Sequence, residues 1–226
     1  MALGVEPIGT RVAAPHPLLR LVAVDGSAAH RWVATLREAQ GHDAMRNLAD
    51  AAHFLCMLHG RQPGVIDHAA DGAAGAPLGA ELARVAEAFG AERSFVTRVA
   101  VASGPAPSTP GAAQSEQAVA AQVHALEMLS LSERRGCAAG AALALALDWR
   151  AVRPVLSLVA ARCGIDPPFC ALPDGEDVAA FLDGFDDPPS TERALLFGAS
   201  QLLAQQRGLL DLLEARADAR RVADAF

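Results

Sequence analysis

The sequence predicts an all-α protein, folded as a single-domain helical bundle. Its 226 residues are 52% hydrophobic, which is enough to bury one large core. Most apolar segments repeat with the three- and four-residue spacing of an amphipathic helix, and alanine, a strong helix former, supplies much of the apolar content. Only the run 18–24 looks like a strand, and no second run exists to pair with it. The helix plan is similar to that of ferritin-like or haem-oxygenase-like bundles.

The first 26 residues are expected to form an irregular N-terminal arm, because prolines and glycines interrupt them. Within this arm, the run 18–24 is expected to lie on the domain as extended chain or as a short helix. Ser27 is a suitable N-cap for a helix over 28–40. All of residues 1–226 are assigned to one domain.

The next elements are separated by clear loop signals. A helix over 42–61 is predicted to end at the Gly60 region, before Pro63. Residues 64–77 are expected to be a linker of small residues, followed by a long helix over 78–103. The Pro/Gly/Ser loop at 104–113 fits a long crossover between helices of a bundle.

The second half of the chain continues the helical pattern. A helix is predicted over 115–129, and Ser130 with Glu133 is expected to form a capping box for a central helix that is buried all round. Pro154 is expected to kink or break that helix. Ser190 is predicted to cap the last helix. That helix carries one apolar seam, formed by Leu195, Leu202, Leu209 and Leu213.

Composition excludes several classes of chemistry. All nineteen basic residues are arginine and tyrosine is absent, which removes Schiff-base lysines, the P-loop lysine and tyrosine acids or bases. The formal charge of −7 and the scattered arginines predict no nucleic-acid partner.

Location and redox state are also predicted from the sequence. No basic start precedes an apolar run, so a secretory signal is not expected. The longest apolar run, 136–147, is shorter than a membrane span. The four cysteines have no C-x-x-C spacing and are expected to be reduced thiols of a cytoplasmic protein.

The strongest candidate site lies on the helix over 42–61. Its polar residues fall on one face: His42, Arg46, Asp50 and His53. Asp50 and His53 have a spacing at which a carboxylate and an imidazole can share a metal ion or a proton. The alternative is a solvated face on which Asp50 pairs with Arg46 or His53. His59 falls outside this face and is expected to bond backbone carbonyls at the helix end.

Further candidates come from later helices. His124 and Glu127 share a polar face with Glu116, opposite an apolar stripe. They would join Asp50 and His53 in a metal site only if that face turned inward. Asp148 follows the apolar run directly and is expected to be buried, so it needs a partner. An arginine from elsewhere in the fold, such as Arg46, is the predicted partner, and a ligand-binding role is the alternative.

Known catalytic templates are missing from the sequence. It contains no H-E-x-x-H, G-x-S-x-G, G-x-G-x-x-G or P-loop motif. Ferritin-like di-iron proteins need paired E-x-x-H motifs, whereas this chain has one D-x-x-H. A di-iron site is therefore not expected, even with a similar fold.

Two segments carry a family resemblance: HDAMRNLADAAHFLCMLHGRQPG at 42–64 and SERRGCAAGAALALALDWRAVRPVL at 132–156. They resemble an uncharacterised bacterial family of all-helical proteins, a domain of unknown function. The resemblance implies an all-α fold but no activity, cofactor or site residue.

Two functional hypotheses follow from these observations. The first is a soluble binding or interaction protein without demonstrable catalysis, which could form a homodimer through its C-terminal helix. The second is a metal- or small-molecule-dependent enzyme. Its metal ligands would be Asp50, His53, His124 and Glu127, supported by Arg46 and Asp148.

Overall fold

A computed structural model describes residues 15–76, 78–184 and 188–225, which form nine α-helices and one 3-10 helix and contain no strand. The predicted all-α fold is confirmed. In chain order the helices are α1 (Pro17–Asp25), the 3-10 helix (Ser27–Ala29), α2 (Arg31–Glu38), α3 (Gly41–His59), α4 (Val65–Gly72), α5 (Gly79–Ala102), α6 (Ala112–Ser130), α7 (Cys137–Arg162), α8 (Gly175–Asp183) and α9 (Pro189–Asp224).

Helix α7 is the centre of the bundle. Its residues 139–146 are all buried, and Trp149 is fully enclosed, as expected for a helix that is apolar on every side. Helices α3, α4, α5 and α9 pack around it. The prediction of a central helix here is confirmed.

Two glycines set the close approach of α7 and α9. A Cβ atom added at Gly140 would lie 1.9 Å from the carbonyl oxygen of Leu195, and one at Gly198 would lie 1.9 Å from that of Cys137. The two backbones therefore touch at this crossing, which any side chain would prevent. The contact places the last helix firmly against the central one.

The N-terminal part of the fold agrees with the prediction in one respect and differs in another. Helix α1 is the short helix expected as one alternative for the run 18–24, and it packs on α9 and α7, while residues 1–14 lie outside the described residues. Ser27 does not cap α2. Instead His30 does so, because its Nδ1 accepts a hydrogen bond of 3.1 Å from the Trp32 backbone N–H.

Four other boundaries were predicted incorrectly. The expected linker contains α4, whose start is fixed by Asp67 accepting from the Gly64 N–H. The capping box at Ser130 is absent, since α7 begins only after Gly136, which has a positive φ. Helix α7 continues through Pro154, so the break expected there is absent, because packing of buried residues on both sides outweighs one lost hydrogen bond. Helix α9 starts at Pro189, not after a Ser190 cap.

The segment between α5 and α6 is the predicted crossover loop, and most of it has no regular structure. Within the described part of the chain, no helix has both the length and the apolar content that crossing a bilayer requires.

Candidate functional site

Helix α3 carries a buried ionic cluster at its centre. Asp50 is only 1% exposed, and Arg216 donates to its two oxygens from Nε and Nη2, each at 3.0 Å. Arg220 donates to the same carboxylate through Nη1. The expected pairing of Asp50 with Arg46 or His53 was therefore wrong, because the partners lie on α9.

The same cluster fixes the crossover loop. The Thr109 hydroxyl oxygen accepts from Arg216 Nη2 at 3.1 Å and from Arg220 Nη1 at 2.7 Å. Arg220 also donates to the Asn47 side-chain oxygen at 2.7 Å. Two guanidinium groups share one carboxylate, so both oxygens of Asp50 accept charge-assisted hydrogen bonds. Its chemistry is that of a structural anchor between α3, α9 and the loop.

The four predicted metal ligands are not brought together. His53 Nε2 donates to the Gly104 carbonyl oxygen at 2.8 Å and takes no part in the Asp50 cluster. His124 and Glu127 lie exposed on α6, 3.9 Å from each other. No group of three or more His, Cys, Asp or Glu residues within the described ranges could hold a metal ion.

Arg46 lies near the surface and pairs with Asp224 at the end of α9, with Asp43 3.8 Å away. It does not reach Asp148, so the suggested pairing of those two residues was wrong.

Asp148 is buried as predicted, but its partners are uncharged. The Ser27 backbone N–H and hydroxyl each donate to it at 2.6 Å, and Gln206 Nε2 donates at 3.2 Å. Burial raises the pKa of the Asp148 carboxyl, and the hydrogen bonds from Ser27 and Gln206 partly oppose that rise. The carboxyl group thus joins the 3-10 helix, α7 and α9.

His59 continues this chain of hydrogen bonds. Its Nε2 lies 2.9 Å from Gln206 Oε1, and its ring meets Trp149 edge-on with centroids 5.8 Å apart. Since Gln206 donates to Asp148, its oxygen is the atom that faces His59, so the imidazole donates from Nε2. Burial lowers the pKa of His59 to about 4. The expected bond to a backbone carbonyl was wrong.

Stability should therefore depend on pH through His59. In the unfolded chain this group takes up a proton near pH 6.5, whereas the native group does so only near 4. Between these values the unfolded state binds more protons, so stability falls as the pH drops. At about pH 5 the loss relative to neutral pH is expected to be about 2 kcal/mol.

This pH effect can be measured by urea unfolding of the wild type and a His59→Gln variant at neutral pH and at about pH 5. The raised pKa of Asp148 acts in the opposite direction, but it is present in both proteins and cancels in the comparison. We expect the wild type to lose about 2 kcal/mol more than the variant on acidification. Equal losses in both proteins would contradict a neutral, buried His59.

Another buried carboxylate lies next to Trp149, the residue that contacts His59. Glu92 is fully buried and accepts from Trp149 Nε1 at 3.0 Å and from Arg153 Nε at 2.9 Å. Sequence reasoning missed it, although Glu92 falls on the same apolar stripe of α5 as Val85 and Phe89. A charged residue in such a stripe signals a buried pair.

Two hollows flank α3, one near each end. The larger, here called the α3 groove, has a volume of about 510 Å³ and is lined by Met45, Arg46 and Leu48 of α3, Pro105 of the loop, and Val159 and Arg162 of α7. The smaller, here called the Arg93 cavity, has a volume of about 40 Å³ and is lined by residues that include Leu58, His59, Val65, His68, Phe89 and Arg93.

Comparison with known proteins identifies a family. The sequence profile of a family of unknown function, DUF6975, matches residues 22–221. The chain belongs to this family. The match includes both segments on which the resemblance to an uncharacterised helical family was based, so that resemblance is confirmed. No curated protein and no solved structure matches the sequence. Membership in DUF6975 brings no activity with it.

Proposed function

We propose that this protein binds a small molecule with an apolar body and one carboxylate group in the α3 groove, without transforming it. The observation that carries the proposal is the position of Arg162. Its guanidinium lies at the groove but has no carboxylate partner among the described residues. It donates to the Met45 sulfur at 3.3 Å and to the Ala39 carbonyl oxygen at 3.4 Å.

A thioether is among the weakest acceptors available to an arginine. A carboxylate would therefore replace it with a much stronger, charge-assisted hydrogen bond. Arg46, the other cation of the groove, is already paired with Asp224 and Asp43. A guanidinium without a carboxylate partner, beside an apolar surface, favours an anionic ligand with an apolar body.

The rest of the groove suits the apolar body of such a ligand. Leu48, Val159 and Pro105 provide apolar walls, and the volume of about 510 Å³ falls within the range of small-molecule sites. The loop wall is held by the Asp50 cluster through Thr109. A fixed wall supports a preformed site, which lowers the entropic cost of binding.

The chemistry of the described residues favours binding over catalysis. The low pKa of His59 makes it a poor base at neutral pH. Asp50 and His53, the proposed ligands of a metal-dependent enzyme, are engaged by arginines and by a backbone carbonyl. The enzyme hypothesis therefore gains no support from their geometry.

Two further parts of the hypothesis concern the cellular location and the homodimer. We place the protein in the cytoplasm, because its four cysteines are free thiols. The homodimer through the C-terminal helix stays a prediction; the four leucines of its seam are buried within the chain itself, so such a dimer would use other faces of α9.

The proposal predicts that octanoate binds and that replacing Arg162 with methionine weakens this binding by at least about tenfold. Methionine retains the apolar bulk of the side chain but removes the charge. Isothermal titration calorimetry at constant ionic strength measures both affinities. Octanol, which has the same apolar chain without the charge, should bind more weakly than octanoate to the wild type.

The matched control is Arg98→Met, which removes an exposed arginine from α5 and should leave the affinity unchanged. If octanoate does not bind, or if Arg162→Met binds it as tightly as Arg98→Met does, the proposal is wrong.

A further inference from the structure

The Arg93 cavity is separate from the α3 groove. It lies at the C-terminal end of α3, between that helix, α4, α5 and α6, and no residue lines both hollows. Its volume of about 40 Å³ gives room for about three to four groups of the size of a water molecule. Any occupant is therefore small.

Arg93 is the dominant polar group of the cavity wall. It is 5% exposed, and its Nη2 donates to Asp67 Oδ2 at 2.6 Å. Its Nε and Nη1 have no hydrogen-bond partner in the described part of the chain. Buried donors are nearly always satisfied, and an arginine with two unused nitrogens is an exception that needs a physical account.

The neighbours of Arg93 do not provide acceptors for its Nε and Nη1 in the described structure. Asp67 Oδ2 already accepts from the Gly64 backbone N–H at 2.7 Å as well as from Arg93. The Ser130 hydroxyl donates to the Glu127 carbonyl oxygen. The Phe89 ring lies 5.3 Å from the guanidinium carbon and holds it from one face without providing an oxygen.

His59, one of the two histidines that line the cavity, does not compete for an anion. His59 turns its Nε2–H toward Gln206, and the charge of Arg93 contributes to the lowered pKa of His59. The cavity wall thus carries the Arg93 guanidinium, which Asp67 pairs through Nη2 only, beside the uncharged imidazole of His59. Arg61 and Glu127, which also line it, pair with each other at 3.4 Å and are both exposed, so they mark its side toward solvent.

We propose that the Arg93 cavity binds a small carboxylate, of the size of formate or acetate, through the free N–H groups of Arg93. The guanidinium provides charge-assisted donors, which carboxylate oxygens match in geometry and charge. The Phe89 ring and the ion pair with Asp67 keep the guanidinium in place, so the donors are already oriented before binding. The small volume excludes a larger organic anion.

Acetate is the probe that tests this site, with acetamide as its uncharged analogue of the same shape. We expect a saturable shift of the Arg93 Nε–H signal in a ¹⁵N-arginine NMR spectrum when acetate is added at constant ionic strength. Acetamide and chloride should leave that signal unchanged. The absence of an acetate-dependent shift at Arg93 would overturn the proposal.

The variant Arg93→Lys separates the site from general salt effects. Lysine can retain the ion pair with Asp67, so the fold should be preserved, but it lacks the additional planar donors. Acetate should raise the thermal-unfolding midpoint of the wild type more than chloride does. In Arg93→Lys, we expect that at least about tenfold more acetate is needed to raise the unfolding midpoint above its value in chloride by the same amount.

The matched control is Arg31→Lys, an exposed residue paired with Glu214, which should respond to acetate as the wild type does. An equal response of Arg93→Lys and the wild type would overturn the proposal. Octanoate binding in the α3 groove is independent of Arg93, so the two sites are tested separately.

Discussion

Replacing Asp50 with asparagine is expected to lower the free energy of unfolding by about 3–5 kcal/mol. The substitution leaves Arg216 and Arg220, both less than 5% exposed, without a counter-charge in the core. The side chain keeps its size, so the effect reports lost charge and not lost packing. Thermal unfolding should show a midpoint lowered by about 10 °C in a chain of this length.

Asp43→Asn is the matched control for this prediction. It makes the same chemical change on the same helix, but Asp43 is exposed and its Oδ1 lies 3.8 Å from Arg46 Nη1, too far for a hydrogen bond. We expect this variant to lower the free energy of unfolding by less than about 0.5 kcal/mol. If the two variants were equally stable, the Asp50 cluster would not be an anchor of the fold.

Replacing Gly198 with alanine is expected to lower the free energy of unfolding by about 3 kcal/mol. The added methyl group would lie 1.9 Å from the Cys137 carbonyl oxygen, which is backbone and cannot rotate away. Helices α7 and α9 would have to separate, and the core between them would loosen. Urea unfolding with a fixed m-value measures the change directly.

Gly90→Ala provides the comparison within a helix. Nothing lies within 4 Å of a Cβ atom at this position of α5, so alanine should stabilise the protein by about 0.5–1 kcal/mol through its helix propensity. We therefore expect Gly198→Ala to lower the free energy of unfolding and Gly90→Ala to raise it. A neutral Gly198→Ala variant would show that the α7–α9 crossing is not fixed by backbone contact.

The helical architecture could be predicted because it depends on local patterns. Leucine and alanine spacing, together with glycine and proline at the ends, located α3, α5, α6 and the central position of α7. The start of α7 was misplaced because Gly136, with a positive φ, ends the preceding turn in place of a side-chain cap. Helix α4 was missed because it is only eight residues long and its start is fixed by the Asp67 side chain.

The partners of the buried charges could not be predicted from local patterns. Arg216 and Arg220 continue the leucine seam of α9 at helical spacing after Leu209 and Leu213, which marks them as inward-facing. That observation alone predicts burial. Which carboxylate they meet is decided by the packing of α9 against α3, and Asp50 lies about 170 residues away in the chain.

The two hollows could not be predicted from local sequence patterns either. Arg93 falls on the apolar stripe of α5, so its burial could have been inferred, but its unused donors follow from the positions of Asp67 and Phe89. Arg162 lies at the end of α7, and its role depends on Met45 of α3. Sequence reasoning placed its candidate site on α3, the helix that also lines the proposed α3 groove. Two of its predicted ligands, Asp50 and His53, are engaged by arginines and by a backbone carbonyl.

The measurement that tests the proposed function most directly is a methyl-¹³C methionine NMR titration with octanoate. Met45 lines the α3 groove, whereas Met57 and Met128 are exposed elsewhere, at 38% and 60%, and serve as internal controls. We expect the Met45 signal to shift with saturation while those of Met57 and Met128 stay in place. An unchanged Met45 signal in a sample that binds octanoate, or a larger shift at Met128, would contradict a ligand site in the α3 groove.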